Sequence, residues 1–441
     1  MNNKVTVIGA GLAGCEAAFA LANRGVKVTL FEMKPIKKSP AHKSDLFAEL
    51  VCSNSLKAMR VESAAGLLKE EMRRLGSLCL MAADENSVPA GGALAVERVG
   101  FATYITEKVK NHPNIEVVSE VVTKIPDDGI VIIATGPLTD DALAEDIKQK
   151  LGSEYLSFYD AAAPIVSADS IDMDSAFFAS RYGKGDGDDY INCPLDREEY
   201  EVFHTELVSA ERALLNEFDK NPNVYEGCMP IEILASRGTD SIRFGPMKPV
   251  GLTNPKTGKR PFAVLQLRKE NVEGSMYNLV GFQTNLKFGE QKRVFSLIPA
   301  LKNAEFLRYG VMHRNSFINS PKLLNQNLSL KCDNRVFFAG QLSGVEGYME
   351  SAASGILAGI NAYKMISGKP PVILPKTTML GAMVDYITNE QTEKFQPMGA
   401  NFGLLPALDV HIRDKKERYK ALAEKALADL NALASVKELQ E

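Results

Sequence analysis

Residues 4–33 read KVTVIGAGLAGCEAAFALANRGVKVTLFEM, and this stretch decides the fold class. An apolar run, a glycine-rich turn, a helix of small residues and a second apolar run follow one another, which is the order of a βαβ unit. Gly9 permits a tight turn, Gly11 lets the backbone approach a pyrophosphate, and Gly14 lets helix and strand pack closely. The helix N-terminus favours an anion, and the carboxylate of Glu32 can accept hydrogen bonds from a ribose. The stretch therefore predicts a dinucleotide site formed by Gly9, Ala10, Gly11, Leu12, Ala13, Gly14 and Glu32.

Length and composition indicate an ordinary globular protein. The 441 residues are enough for two or three domains, with 45% hydrophobic and 24% charged residues. No apolar run approaches the roughly 20 residues that span a bilayer. The βαβ unit begins at residue 4, which leaves no room for a signal peptide, and we expect a cytoplasmic protein. Its six cysteines lack CxxC spacing, so the sequence predicts neither a metal site nor a disulfide framework. The net charge of -4 gives no global indication of a nucleic-acid partner.

Two later segments share with the opening stretch a buried strand that ends in a glycine-rich turn. Residues 129–137 read GIVIIATGP, a buried strand and a glycine turn. They resemble the segment where flavoproteins of the glutathione-reductase type leave the nucleotide domain. Residues 334–350 read NRVFFAGQLSGVEGYME, a strand expected to join the opening parallel sheet, then a glycine-rich turn and a helix start. Such a segment sets a helix N-terminus against the flavin side of FAD, so FAD is preferred over NAD. It adds three predicted cofactor-binding residues, Gly340, Gly344 and Gly347.

Between these segments, strands and helices no longer alternate in the βαβ order. From about residue 138 to 331, short strands and loops alternate with one clear helix, predicted over 198–219. We interpret this region as an inserted α+β domain. The predicted fold is therefore α/β, a Rossmann-like FAD-binding domain of glutathione-reductase type with an insertion. Its three parts are the first part of the FAD-binding domain (1–137), an inserted substrate- or RNA-binding domain (138–331), and a closing FAD segment with C-terminal helices (332–441).

Two cysteines differ from the others by their surroundings. Cys52 lies in VCSNSLK, among hydrogen-bonding residues and with Lys57 nearby, and Cys228 follows a glycine in EGCMPIE, between two carboxylates. Polar loops of this kind can present a reactive thiol. Cys193, in NCPL, is similar in kind but a weaker candidate. We expect packed, unreactive side chains at Cys15, Cys79 and Cys332.

A basic stretch follows Cys228. Seven lysines and arginines and no acidic residue lie between Arg243 and Lys269. Two interpretations stand side by side: a solvated hairpin surface, or a phosphate-binding face beside a reactive centre. The sequence NPKTGK predicts a turn at a hairpin tip that presents Lys256 and Lys259 outward. On the second interpretation RNA is bound by Arg243, Lys248, Lys256, Lys259 and Arg260.

Six motifs spread along nearly the whole chain belong together. They are GAGLAGCEAAFALANRG (9–25), VCSNSLK (51–57), EGCMPIE (226–232), RFGPMKPVGL (243–252), AGQLSGVEGY (339–348) and FGLLP (402–406). In combination they resemble the TrmFO family, the bacterial folate- and FAD-dependent tRNA (uracil-5-)-methyltransferases. The chain is more distantly similar to the GidA (MnmG) tRNA-modifying flavoproteins, which share the opening turn and the closing flavin segment.

The resemblance implies a reaction. 5,10-Methylenetetrahydrofolate supplies a one-carbon unit, FAD reduced by NAD(P)H supplies electrons, and carbon 5 of a T-loop uridine in tRNA becomes methylated. Carbon 5 is a poor nucleophile until a group adds to carbon 6, and a thiolate adds and leaves readily. The family match assigns this chemistry to Cys52 and Cys228. The basic stretch favours Cys228 as the nucleophile, and the exchange of roles stays open. The uridine must leave its stack to react. Because a second GxGxxG is missing, NAD(P)H is expected to be a transient reductant.

Three other functions remain open at this level. The same chemistry could act on ribosomal RNA. An FAD oxidoreductase for a small molecule would show no RNA binding that depends on Lys256, Lys259 and Arg260. A non-enzymatic RNA-binding flavoprotein would keep its function after replacement of Cys52 or Cys228 by Ala. Neither the folate-binding residues nor the oligomeric state has a sequence signal.

Overall fold

The computed structural model describes residues 5–39, 41–152, 155–161, 163–183, 189–213, 229–270, 274–310, 312–392 and 395–433. Within these ranges, strands β1 to β16 span, in chain order, Val5–Ile8, Val28–Glu32, Ser55–Ala58, Ser87–Val88, Ala93–Val96, Ile115–Ser119, Ile130–Ile133, Tyr155–Ala161, Ile165–Ser167, Phe177–Phe178, Tyr190–Leu195, Ala263–Lys269, Met276–Leu279, Phe306–Arg308, Met312–Ile318 and Val336–Phe338. Helices α1 to α12 span Leu12–Ala22, Ala64–Arg74, Leu78–Glu85, Arg98–Lys110, Asp141–Leu151, Arg197–Ser209, Ile231–Ala235, Phe288–Phe295, Ser320–Leu323, Tyr348–Ile366, Met379–Thr388 and Lys415–Ala432. No helix in these ranges is long and apolar enough to cross a lipid bilayer.

The first sheet is parallel, with the strand order β16-β7-β1-β2-β6. β1 lies between β2 and β7, with Val5 opposite Val28 and Ile130. β1 is buried along its whole length, as expected for a parallel sheet covered on both faces. Helix α10 crosses α1 so closely that a Cβ at Gly355 would lie 2.2 Å from the backbone oxygen of Ala13. β16 joins this sheet beside β7, so the predicted Rossmann-like α/β fold with a returning strand is confirmed.

The second sheet is antiparallel, with the strand order β10-β11-β12-β13-β9-β14. Its faces differ because side chains alternate along each strand. In β12, Leu265 and Leu267 belong to an apolar core that also contains residues of α6 and α8. Gln266 and Arg268 lie on the opposite face, which is polar and yet buried. Arg268 reaches from this polar face to the loop before β3.

Helix α5 packs on the first sheet although it follows residue 138. Leu143 and Ile147 share a core with Val131 of β7 and Phe338 of β16. The chain then forms the antiparallel sheet before β16 returns it to the parallel one. The division into residues 1–137, 138–331 and 332–441 stays a prediction.

The helix predicted over 198–219 is wrong in its length. Helix α6 ends at Ser209, because Ala210 takes an extended conformation with ψ of 146° and Arg212 bridges to Leu286. Residues 214–219 lie outside the described ranges. The inserted region also contains α7 and α8, of 5 and 8 residues, which are too short for periodicity to separate them from loops.

Candidate active site

A pocket of about 1150 Å3, open to solvent, lies at the carboxyl ends of β1, β2 and β7. Ligands of open α/β sheets bind at this edge. Gly9 has a φ of +97°, and a Cβ there would lie 2.7 Å from the backbone oxygen of Ala134, so the turn requires glycine. At Gly11 the φ is -74° and the nearest atom to a Cβ would be 4.0 Å away. The backbone at Gly11 is therefore open to close approach by a ligand.

The N-terminus of α1 and Glu32 provide the polar groups of this pocket. The helix has no side-chain cap at Gly11 and no acidic residue in its first turn, so its free N–H groups suit an anion. Glu32 is buried, and its two carboxylate oxygens accept hydrogen bonds from the backbone N–H groups of Ala10 (2.6 Å) and Lys34 (3.1 Å). These features fit the pyrophosphate and the ribose of a dinucleotide.

The structure separates the predicted cofactor residues into two groups. Three of them are packing positions: a Cβ at Gly14 would lie 1.8 Å from the Gly9 oxygen, Gly344 lies against the ring of Phe395, and Gly347 precedes α10 as its N-cap with a φ of +124°. The others line the pocket, and they are Gly9, Ala10, Gly11, Leu12, Ala13, Glu32 and Gly340.

Several pocket residues had no role assigned from the sequence. Thr135 and Thr139 lie in and after the ATG segment, with 2.6 Å between their hydroxyl oxygens. The ATG pattern was their only signal. Lys34 and His42 line the pocket from an irregular loop that has no pattern. Burial, followed by the charge of Lys34, lowers the pKa of His42. Tyr348 was visible only as the end of the closing glycine motif.

Cys52 lies beside this pocket, on the loop before β3. Tyr348 lines the pocket, and its hydroxyl oxygen lies 2.9 Å from Cys52 Sγ and accepts a 2.8 Å hydrogen bond from the Cys52 backbone N–H. Burial and then the charge of Cys52 raise the pKa of Tyr348, while Arg98 opposes the shift. The phenol therefore keeps its proton and can donate a hydrogen bond to the Cys52 sulfur. Cys52 is thus joined to the dinucleotide pocket through one side chain.

The polar face of the second sheet holds the Cys52 loop from the other side. Arg268 donates to Asn54 Oδ1 at 2.9 Å and to Ser53 Oγ at 2.8 Å. The amide of Asn54 donates in turn to the backbone oxygen of Lys269 at 2.7 Å. Charge-assisted hydrogen bonds in a buried setting are among the stronger ones. The loop that carries Cys52 is therefore clamped between the two sheets.

A second arginine reinforces this clamp. Arg98, the first residue of α4, donates through two nitrogens to the carboxylate of Glu270 and through a third to the backbone oxygen of Leu50. Glu270 follows β12, so this ion pair joins the two sheets. Neither residue belonged to a motif, because the partners are separated by 172 residues.

An ion pair lies at the start of α10. Lys57 Nζ is 2.7 Å from the carboxylate of Glu350, which is 1% exposed and also accepts from the Ala400 N–H. Lys69 lies close enough to interact with both, and burial lowers its pKa to about 8. Because Tyr348 begins the same helix and lines the pocket, these charges lie near the Cys52 end of the dinucleotide site.

Curated relatives match nearly the whole chain. The methylenetetrahydrofolate--tRNA-(uracil-5-)-methyltransferase TrmFO of Desulforamulus reducens is 59% identical over 425 residues, which is 96% of this chain and 96% of the relative. The protein of the same name from Enterococcus faecalis is 58% identical, over 97% of this chain and 98% of the relative. The chain belongs to the TrmFO family.

The TrmFO family lies within a wider group. The family model for glucose inhibited division protein A matches residues 4–370. A crystal structure of Aquifex aeolicus GidA has a TM-score of 0.68 at 18% identity, covering 99% of this chain and 77% of that one. At this identity the likeness concerns the fold. Because the coverage is nearly complete, the fold that this TrmFO-family chain shares with GidA includes the inserted region.

Of the two thiols that the TrmFO resemblance assigns to catalysis, Cys52 has the position described above and Cys228 lies outside the described residues. Cys332 is exposed in the connection before β16, so the expectation that it is packed is wrong: residues 331 and 332 of this connection lie at the surface. The other described thiols are buried, and burial raises the pKa of each, namely Cys15, Cys79 and Cys193.

The predicted RNA-binding residues lie on the segment before β12. Arg243 stacks on Phe262, with 4.0 Å from its guanidinium to the ring centre, and pairs with Asp240. Lys256 Nζ donates to the backbone oxygen of Met173 at 2.6 Å. The turn at 254–259 is present, but no strand precedes it, so it is not a hairpin tip. The exposed members of the set are Lys248, Lys256, Lys259 and Arg260.

The basic residues do not share one position along β12. Arg260 precedes Ala263, where β12 begins, whereas the Cys52 loop contacts Arg268 near its end, and five residues of strand span about 16 Å. Lys248 follows Met247, whose backbone oxygen accepts from Val264 within β12. The structure brings Cys52 together with Tyr348 and Arg268.

Proposed function

We propose that this protein methylates carbon 5 of a uridine in tRNA, with 5,10-methylenetetrahydrofolate as the carbon donor. The TrmFO relatives of 59% and 58% identity carry this activity in their names. The structural observation that carries the proposal is the position of Cys52. Its thiol touches Tyr348 of the dinucleotide pocket, and its loop is held by Arg268 of the opposite sheet. A nucleophile at this junction can meet a base that enters between the two sheets.

The pocket suits FAD as the resident dinucleotide. The N–H groups at the start of α1 would hold the pyrophosphate, and the open space at Gly11 supports its close approach. Glu32 would hold a ribose. When bound and reduced, FAD supplies the electrons that turn the transferred one-carbon unit into a methyl group. We propose NAD(P)H as its transient reductant. The remaining cofactor residues act by packing, as the contacts of Gly14 and Gly344 support.

The chain's own thiols activate the base. Uracil carbon 5 becomes nucleophilic once a thiolate has added to carbon 6, and the thiolate leaves after methylation and loss of the carbon 5 proton. We assign addition and proton removal to Cys52 and Cys228. The hydroxyl of Tyr348 lies 2.9 Å from the Cys52 sulfur and can donate a hydrogen bond to the thiolate. Because Cys52 lies between the two sheets, the uridine must be flipped out of its stack to reach it.

The target is a T-loop uridine, and the tRNA is held at a distance from the reacting base. The exposed side chains of Lys248, Lys259 and Arg260 are free to meet phosphates, whereas Arg243 and Lys256 order the segment through their bonds to Asp240 and Met173. A tRNA arm that contacts Lys259 and Arg260 with its backbone would place a flipped base one strand length away.

The test is methyl transfer by the purified protein. Protein loaded with FAD is incubated with 5,10-methylenetetrahydrofolate carrying a labelled one-carbon unit, NADH or NADPH, and unmodified tRNA or ribosomal RNA. We expect label in 5-methyluridine of the tRNA alone. Label in ribosomal RNA only, or none in either RNA, would contradict the proposal. Cys52→Ala and Cys228→Ala should each lower the rate about 100-fold or more, whereas Cys332→Ala, which changes an exposed thiol, should match wild type.

A further inference from the structure

One row of side chains crosses the polar face of the second sheet. Tyr190 of β11 lies opposite Arg268 of β12, which lies opposite Asn278 of β13. Asn278 lies opposite Ile165 of β9, which lies opposite Arg308 of β14 where the register shifts after Phe306. The charges of Arg98 and Glu270 act on Arg308, which places it on the polar face. Residues directly opposite in an antiparallel pair project from the same face. Since Arg268 of this row holds the Cys52 loop, the row belongs to the surroundings of the thiol.

Two hydrogen-bond donors of this row have no partner in the part of the chain that the structure describes. Asn278 is 3% exposed, and its Nδ2 atom is buried without a hydrogen bond. The Nε atom of Arg308 is buried and unpaired as well. Buried donors are almost always bonded in native proteins, and an exception calls for a ligand or another physical reason. Both unpaired atoms donate hydrogen bonds, so the missing partner is an acceptor.

The charge of Arg308 makes no direct ion pair within the described residues. Its guanidinium makes one long contact there, 3.5 Å from Nη2 to the backbone oxygen of Ala163. The nearby carboxylate of Glu270 is already paired with Arg98. Burial, and after it the charge of Arg98, lowers the pKa of Arg308, while Glu270, Tyr348 and Cys52 oppose the shift. A guanidinium in these surroundings favours the binding of an oxygen that carries a negative charge or gains one during the reaction.

We propose that Asn278 and Arg308 form the binding site for the O4 oxygen of the target uracil. This inference rests on the proposed function. When a thiolate adds to carbon 6, the S–C6 bond forms, the C5=C6 pair moves toward C4, and the C4=O4 bond becomes an enolate with its charge on O4. The enolate pair then attacks the methylene carbon of the one-carbon donor from carbon 5. As the C5–C bond forms, the bond from that carbon to a nitrogen of the folate breaks, its electron pair stays on the nitrogen, and C4=O4 forms again. The C5 proton and the thiolate are lost afterwards. Asn278 donates to O4 throughout, and Arg308 donates most strongly when O4 is charged. Donors that gain strength in the transition state raise kcat.

A uracil oxygen fits this site better than a phosphate does. A phosphate brings a full charge and three exposed oxygens, and proteins meet it with accessible lysines and arginines or with helix N-termini. Here one donor is a neutral amide at 3% exposure. The carboxylate of folate would likewise bring a full charge in the ground state. Uracil O4 is neutral when the base enters and becomes negatively charged during the reaction. Such an acceptor matches a site with one neutral donor, Asn278, and one cationic donor, Arg308.

Steady-state kinetics of Asn278→Ala and Arg308→Met test the proposal on the FAD-loaded protein. Removal of one oxyanion donor lowers kcat about 100-fold or more, and we expect KM for tRNA and for the folate to change by less than about threefold. Arg308→Lys keeps the charge and should recover part of kcat. Arg293→Met is the matched control, because Arg293 is exposed and paired with Glu206 and Glu290.

A second measurement does not require turnover. Iodoacetate is an anion and iodoacetamide is neutral, so the ratio of their rates at Cys52, followed by mass spectrometry, reports the local charge. Arg308→Met should lower this ratio about threefold or more and leave the ratio at exposed Cys332 unchanged. The melting temperature identifies variants that have lost the fold.

The outcomes separate the two claims. If wild type forms no 5-methyluridine, the proposed function fails. If wild type is active and both variants keep kcat, the inference fails by itself. A rise of tenfold or more in KM for tRNA or for the folate, at unchanged kcat, would show that the row binds a phosphate or a carboxylate and would overturn the assignment to O4. An unchanged alkylation ratio at Cys52 would contradict the placement of Arg308 beside the thiol.

Discussion

Single glycines of the opening turn have different physical tasks, and a pair of variants separates them. A Cβ at Gly14 would lie 1.8 Å from the Gly9 backbone oxygen, so Gly14→Ala must move α1 away from the turn. We expect a loss of several kcal/mol of stability, as for other strained or overpacked sites (about 1–3 kcal/mol or more). Gly11→Ala should keep its fold, because the added Cβ meets nothing closer than 4.0 Å, but should bind FAD weakly since the methyl group enters the pocket.

Urea unfolding and the absorbance of bound flavin measure the two effects. The account is contradicted if Gly11→Ala loses stability and retains flavin, or if Gly14→Ala is as stable as wild type.

The hydroxyl of Tyr348 should matter for the thiol more than for the fold. Tyr348→Phe keeps the ring and removes the oxygen that lies 2.9 Å from Cys52 Sγ and accepts the Cys52 N–H. The thiolate loses a donor and the loop loses an acceptor, so we expect slower alkylation of Cys52 at pH 8 and about tenfold lower methyl transfer. Tyr386→Phe, which removes a hydroxyl bonded to the Gln396 oxygen, is the control. Equal alkylation rates in wild type and Tyr348→Phe would refute this role.

At the scale of elements, a buried carboxylate of one helix accepts hydrogen bonds from the first N–H groups of another helix, α11. Glu71 of α2 accepts hydrogen bonds from the N–H groups of Met379 and Leu380, and burial nevertheless raises the pKa of Glu71 to about 7. Between the ordinary value of 4.5 and pH 7, the folded chain keeps a proton that the unfolded chain has released. Stability therefore falls as pH rises through this window, by about 3 kcal/mol for this group.

Glu71→Gln should remove that part of the pH dependence, because the amide does not ionise. The measurement is the free energy of unfolding at pH 5 and pH 8 for both proteins. The wild type should lose more stability than Glu71→Gln over this interval. An equal loss in the two proteins would show that Glu71 is ionised in the folded state across the whole range.

Elements with a long, regular pattern were predictable, and the site between them was not. The order of apolar run, glycine-rich turn and small-residue helix around Gly9, Gly11 and Gly14 predicted β1, α1 and β2. This pattern was readable because it is local and is dictated by packing and by the approach of a ligand. The end of α6 at Ser209 was missed because Ala210 and Arg212 leave the helix to bond with a distant segment. Tertiary contacts of this kind override local propensity.

For the whole molecule, the polar face of the second sheet meets the Cys52 loop beside the dinucleotide pocket. Arg98 meets Glu270 and Arg268 meets Asn54 across more than 170 residues, so no spacing rule could have joined them. The basic stretch was found by counting charge, but its exposed residues Lys259 and Arg260 precede the start of β12, whereas Arg268, near the end of this strand, contacts the Cys52 loop. The sequence predicted two thiol loops, around Cys52 and Cys228, and the fold shows what surrounds the first of them. The catalytic role of both thiols stays a prediction.

The contact between the Cys52 loop and the second sheet should weaken when Arg268 is replaced. Arg268→Met removes the donors to Asn54 Oδ1 and Ser53 Oγ in a buried setting, at about 2–3 kcal/mol for charged hydrogen bonds. We expect a lower melting temperature, faster hydrogen exchange at residues 52–54 and reduced methyl transfer, with flavin binding unchanged because Arg268 does not line the pocket. Exchange at residues 52–54 equal to that of wild type would contradict the clamp.

Capture of the RNA by the thiol tests the central claim most directly. A T-arm hairpin with 5-fluorouridine at the target position cannot lose a proton from carbon 5, so the adduct formed after transfer of the one-carbon unit should persist. With FAD, 5,10-methylenetetrahydrofolate and NADPH present, we expect a covalent protein–RNA complex that maps by mass spectrometry to Cys52 or Cys228. The absence of a complex, or a complex at Cys332, would contradict the account.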